Sequence, residues 1–123
     1  MHNYKKMKIW NEGISLSTII YQNTKSFPTE ELFGLSNQMR RSAVSIPSNI
    51  AEGSSRNSYK DFNHFLSIAL GSCFELETQI TISKNLFYID DSVFSELSTK
   101  LILLQKKIYR FKKKLEKENS VQS

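Results

Sequence analysis

Four stretches of the chain carry apolar residues at helical spacing, with short polar breaks between them. At about 100° per residue, Met7, Trp10, Ile14 and Tyr21 align as one stripe between Tyr4 and Lys25, and Ile9, Leu16 and Ile20 form a second beside it. An apolar face that wide predicts burial on two sides, one against the domain core and one against a neighbouring subunit. SFPTEE follows, where Pro28 and the acidic pair suit the first turn of a second helix.

In the second stretch Leu32, Leu35, Met39, Ala43, Ile46 and Ile50 share one stripe, in steps of three or four. The stripe stays in phase across Pro47, although an interior proline loses a backbone hydrogen bond and costs roughly 3 kcal/mol. The phase predicts a kinked helix running on to Gly53 as its C-terminal cap. A fresh helix with Pro47 as its first residue, capped by Ser45 or Ile46, is the alternative.

The third helix opens after SSRN, with Ser58 and Asp61 spaced as in a capping box. Phe62, Phe65, Ala69, Cys73, Leu76, Ile80 and Phe87 share its face, which extends it nearly to Tyr88. In the fourth, Asp90, Asp91 or Ser92 supplies the cap. Phe94, Leu97, Leu101, Leu104, Ile108, Phe111 and Leu115 then make a faultless heptad seam. A parallel coiled-coil dimer would flank that seam with Lys100, Lys107 and Lys114 on one side and Ser98, Gln105 and Lys112 on the other. No acidic partners stand there, so a bundle is the better solution. The expected fold is all-α: an antiparallel up-down four-helix bundle, oligomeric, with one domain over 1–118 and a frayed tail at 119–123.

Composition supports a folded chain, with 39% hydrophobic and 24% charged residues and only four Gly and two Pro in 123 residues. The single Cys73 excludes an internal disulfide and, with two His, a zinc site, so no metal or cofactor is expected and the setting expected is cytoplasmic. The N-terminal lysines precede IWNEGISLSTII, which lacks the apolar block of a signal peptide, and no run approaches a membrane span.

Charge changes the picture more. Between Lys100 and Glu118 lie eight basic and two acidic residues, a local +6 in a chain whose net charge is +5. The body is therefore close to neutral and the last helix is basic, which suits an anionic partner. Lys106, Lys107, Arg110, Lys113, Lys114 and Lys117 lie away from the seam and, with Arg41, are the candidate nucleic-acid contacts. The competing reading is a solvated face that opposes aggregation. Most Phe residues go to the core, so no aromatic interleaving is expected and contacts would read backbone charge and shape.

Arg40 and Arg41 diverge by one step on the wheel. Arg41 shares a polar face with Ser45, Ser48 and Glu52, whereas Arg40 lies with Val44, Pro47 and Ala51 on a face of small residues. That face is the candidate subunit interface, where an arginine would pair with a carboxylate across a helix or subunit boundary. Phosphate binding is the alternative for the pair. Catalytic chemistry finds little to assemble. Cys73 lies on a core stripe, Arg56 and His64 are too widely spaced for a helical ribonuclease pair, and Glu75 and Glu77 point to different faces. There is no phosphate-binding glycine loop and no serine nucleophile motif, so no enzyme is expected.

The run GLSNQMRRSAVSIPSNIAEGSSR, followed by KDFNHFLSIALGSCFELETQI, resembles the bacterial four-helix-bundle proteins encoded in 23S rRNA intervening sequences. The superfamily also includes the accessory variability determinants of diversity-generating retroelements. The resemblance implies a four-helix protomer in a ring-shaped homopentamer, with nucleic-acid binding through basic surfaces in the retroelement branch. It places Arg40, Arg41, Pro47, Asn49, Glu52 and Gly53 on the positions of the family signature. Two readings follow: an oligomer that binds RNA or DNA without sequence readout, or a scaffold that contacts a protein partner. Neither involves a membrane.

Overall fold

The computed structural model describes residues 2–120. Four helices make up nearly all of it: α1 (Lys8–Thr24), α2 (Leu35–Ser54), α3 (Tyr59–Asn85) and α4 (Asp91–Ser120), with short 3-10 turns at Tyr4–Lys6 and Thr29–Glu31. They form a four-helix bundle in which each helix packs on two neighbours, α1 on α2 and α4, α3 on α2 and α4. α2 and α4 are diagonal, and their backbones do not approach closely.

Helix boundaries follow local chemistry. Glu31 turns back so that its Oε1 accepts from the Leu35 N–H at 3.1 Å, capping α2. The second helix therefore starts at Leu35, and Leu32, expected on its stripe, lies in the preceding turn and is half exposed. Ser58 caps α3 by accepting from the Asp61 N–H at 3.1 Å, and Asp90 caps α4 by accepting from Val93 at 2.8 Å. α4 includes Asn119 and Ser120; the rest of the expected tail, 121–123, lies outside the described residues.

α3 ends earlier than its apolar stripe suggests. The Tyr88 N–H bonds the Ser83 carbonyl at 2.9 Å and the Phe87 N–H bonds Lys84 at 3.0 Å, a Schellman closure. Phe87 sits at its left-handed position with φ of 62° and is 92% exposed. The expectation that Phe87 belongs to the core is thus overturned, because the chain reverses its hand there and turns the ring outward.

α2 is one continuous helix through Pro47. The proline is buried against α1, where a Cβ added at Gly13 would lie 3.2 Å from the Pro47 ring. The missing side chain at Gly13 is what lets the two helices approach at the ring. Gly53, expected as the cap, is instead helical and buried, and Ser55 caps α2 two residues later. A Cβ there would meet Phe65 Cβ at 2.8 Å and Phe62 Cδ1 at 2.9 Å, so its role is close approach to α3.

Ile20, Met39, Ile46, Ile50, Leu66, Leu76, Ile80, Leu97, Leu101 and Ile108 fill the core. The α4 seam is buried as its spacing predicts, except that Phe94 and Phe111 are only partly buried. On α1 the Ile9–Leu16–Ile20 stripe faces inward, while Ile14 and Tyr21 of the other stripe are exposed. Two polar layers close the ends. The Tyr88 hydroxyl donates to Glu31 Oε2 at 2.9 Å and its ring lies 5.2 Å from Phe27, joining the α1–α2 and α3–α4 loops. At the far end His2 donates its N–H to Ser54 at 3.2 Å and stacks edgewise on Phe62 and Phe111. Among the described residues no helix is long and apolar enough to cross a membrane.

Candidate nucleic-acid interface

With Leu97, Leu101, Leu104, Ile108 and Leu115 held inward, the rotation of α4 is fixed and its basic residues are distributed around the remaining surface. They fall into three sets. Lys106, Arg110 and Lys117 stand on the outer face, exposed and with no ion-pair partner among the described residues. Lys113 is also exposed, but its ammonium lies 3.5 Å from Glu116 and 5.5 Å from the Tyr109 ring centre. Those neighbours, Glu116 foremost, hold its pKa above the ordinary lysine value.

Lys107 turns towards α1 and pairs with Glu12 across the bundle, so its charge is largely committed within the chain. Glu12 Oε2 is buried and has no hydrogen-bond partner among the described residues, so Lys107, on Oε1, is the counter-charge of that carboxylate. Lys114 flanks the same α1–α4 groove, which Met7, Ile9 and Phe111 floor and Lys8 and Arg110 border. Lys8, which drew no attention as a contact in the sequence, thereby joins the basic surface. Lys112 bends the other way and donates to Ser67 of α3; burial is the main reason its pKa falls below the ordinary value.

Arg41 is not part of this surface. It lies on α2, diagonal to α4, in a polar groove of about 310 Å³ with Ser42, Ser45, Ser72, Glu75 and Gln79. The Ser45 and Ser72 hydroxyls are hydrogen-bonded at 2.8 Å across the groove, and Asn49 donates to the Ser45 hydroxyl at 2.9 Å.

Arg40 does find a neighbouring helix, but its partner is no carboxylate. Its Nε donates to Thr24 Oγ1 at 2.9 Å and its guanidinium lies 4.9 Å over the Tyr21 ring, both on α1. Pro47 likewise contacts Gly13 of the same chain, whereas Val44 is 40% exposed and Ala51 is half-buried. Of the small-residue face, Pro47 is therefore covered by α1 and Arg40 is tied to it, while Val44 stays open. Glu52 is engaged by Arg56 at 2.5 Å, and Arg56 also covers the Phe65 ring at 4.9 Å. His64 meets that same ring from its own position at 5.6 Å. Cys73 is fully buried, and burial first, then the charge of Glu77, pushes its thiol up to about 12.

Sequence spacing missed the aromatic content of this surface. Phe74 of α3 and Tyr109 of α4 are 55% and 53% exposed and line one groove with Lys106 and Arg110. Phe74 stands off its helix's core stripe, and that was the readable signal. Its closeness to Tyr109 depends on the pairing of α3 with α4.

The fold and this surface define a class: a small four-helix bundle with a cationic last helix. Within that class, the match to the model of the 23S rRNA-intervening sequence proteins spans residues 5–110, and the chain belongs to that family. A crystal structure of an S23 ribosomal protein family member of unknown function from Bacteroides thetaiotaomicron shares the fold. It is 23% identical, with a TM-score of 0.77 over 85% of this chain and 98% of that one. Comparison with curated proteins returned no match.

Proposed function

We propose that this protein is a non-enzymatic cytoplasmic homo-oligomer of antiparallel up-down bundles that binds RNA or DNA through α4 without reading sequence. The observation that carries this reading is the set of exposed cations Lys106, Arg110, Lys114 and Lys117 along one rigid helix, without ion-pair partners among the described residues. Phosphate charges recur regularly along a nucleic acid, and cations on a fixed rod meet them at no cost in folding. Each phosphate neutralised on a duplex steepens the salt dependence by about 0.9 in a log–log plot. A gel-shift series at rising salt therefore tests the reading: wild type binds at low salt with a steep slope. The Lys106→Glu, Arg110→Glu, Lys114→Glu triple variant is expected to bind about a hundredfold more weakly. A wild type that binds no nucleic acid at low salt removes the proposal.

Another observation favours a protein-contact role, to itself or to a partner. Leu32, Phe33, Leu86 and Phe87 are all 47% or more exposed on the two loops that Glu31 and Tyr88 join at one end. Exposed apolar residues gathered at one place mark interaction surfaces. The resemblance to ring-forming relatives makes a pentamer the first stoichiometry to look for. Light scattering on the Phe33→Ser, Phe87→Ser double variant, expected to be smaller than wild type, checks whether this end joins subunits.

A further inference from the structure

The groove between α3 and α4 has a chemistry different from the rest of the basic surface. Leu70, Phe74 and Tyr109 give it an apolar floor, and the space between them is about 270 Å³. Lys106 and Arg110 border it, and Lys113 reaches the Tyr109 ring from the next turn. Phe74 contacts no other ring and no cation among the described residues, so its face is open. The acidic groups nearby are already engaged, Glu77 with Gln105 at 3.2 Å and Glu116 with Lys113 at 3.5 Å.

An open phenyl ring and a half-exposed phenol beside cations suit one occupant in particular. A nucleobase is a flat apolar plate that carries an anionic phosphate a fixed distance away. In a duplex the plates are stacked inside and only the phosphates are offered, so a ring pair would gain nothing. In a single strand the bases are free to leave their neighbours and lie on a side chain. An apolar peptide would use the floor, but it would leave Lys106 and Arg110 without counter-charges.

We propose that Phe74 and Tyr109 form a stacking platform for an unpaired base, while Lys106 and Arg110 hold the adjoining phosphates. The partner is accordingly a single-stranded nucleic acid, or a duplex with a looped-out base. This inference rests on the nucleic-acid reading above and adds to it a preference for unpaired strands. No base identity is specified, because every base has a face to stack.

Fluorescence anisotropy on the full chain tests it, with a labelled strand of about twelve nucleotides and the duplex of the same sequence. Phe74→Ala and Tyr109→Ala are each expected to weaken the single strand about tenfold and to leave the duplex within about twofold. Tyr109→Phe keeps the ring and should bind as wild type. Unchanged single-strand affinity in both alanine variants overturns the platform and leaves the charge-based reading standing. So does an equal loss on strand and duplex, or a wild type that holds duplex alone. A change of molar mass in the alanine variants also overturns it, since the groove would then belong to a second copy. A wild type that binds neither probe removes both proposals.

Discussion

α2 and α4 pack by opposite rules. Half of the twenty residues in α2 are buried, several of them small, and both flanking helices come close to its backbone at single points, Gly13 against Pro47 and Gly53 against Phe62 and Phe65. Only five of the thirty residues in α4 are buried, all of them Leu or Ile of one seam. In α2, then, the identity of a residue is dictated by what touches it. In α4 most residues are chosen for what does not touch them, and that leaves room for charge. A disruptive substitution should therefore act on stability in α2 and, off the seam, on binding in α4.

The sharpest test lies within α4 itself. Ile108→Ala empties a fully buried position and should cost about 2–5 kcal/mol in urea denaturation. Leu103→Ala, on a residue 49% exposed, should change stability by less than about 0.5 kcal/mol. If the two cost the same, α4 is not packed on this seam.

Charge reversal comes next. The Lys106, Arg110, Lys114 triple glutamate variant should lose nucleic-acid affinity by about two orders of magnitude with its melting temperature nearly unchanged. Arg41→Glu, on the diagonal helix, should leave affinity intact. Were Arg41→Glu equally damaging, the binding surface would wrap around the bundle instead of following α4.

For α2 the matching experiment is Gly53→Ala. A methyl there meets the Phe65 Cβ and Phe62 ring inside contact distance, so thermal unfolding should reveal a loss of about 1–3 kcal/mol. A neutral result would mean that α3 can recede from α2.

Phe87→Gly should act in the other direction. It relieves a left-handed backbone at an exposed site and should stabilise the isolated protomer by about 1 kcal/mol in the same assay, run at a protein concentration too low for association. Smallest in energy is the response of Cys73. Its thiol, raised to about 12 by burial, stays protonated at pH 8 and should resist alkylation until denaturant opens the bundle.

Much of this was legible in advance where the signal is local. The heptad seam of α4, the unbroken phase across Pro47 and the Ser58 cap are read from spacing, and each appears in the structure as spaced. The Arg40 partner was not legible, because Thr24 and Tyr21 lie sixteen and nineteen residues away on another helix. Nor was the Lys107–Glu12 pair, whose members are 95 positions apart. Gly53 read as a cap because glycine favours helix ends, yet here its value is the absence of a Cβ beneath two phenyl rings.

The sequence by itself determined four amphipathic helices, most of the inward face of α2, α3 and α4, and the concentration of positive charge on the last. Those properties depend on neighbours three and four positions away, which the chain carries with it. Only the tertiary structure decided which cations remain unpaired, that Arg41 stands apart from them, and that Phe74 and Tyr109 share a groove. These depend on how one helix is rotated and slid against the next, and that is set by the packing of the core as a whole.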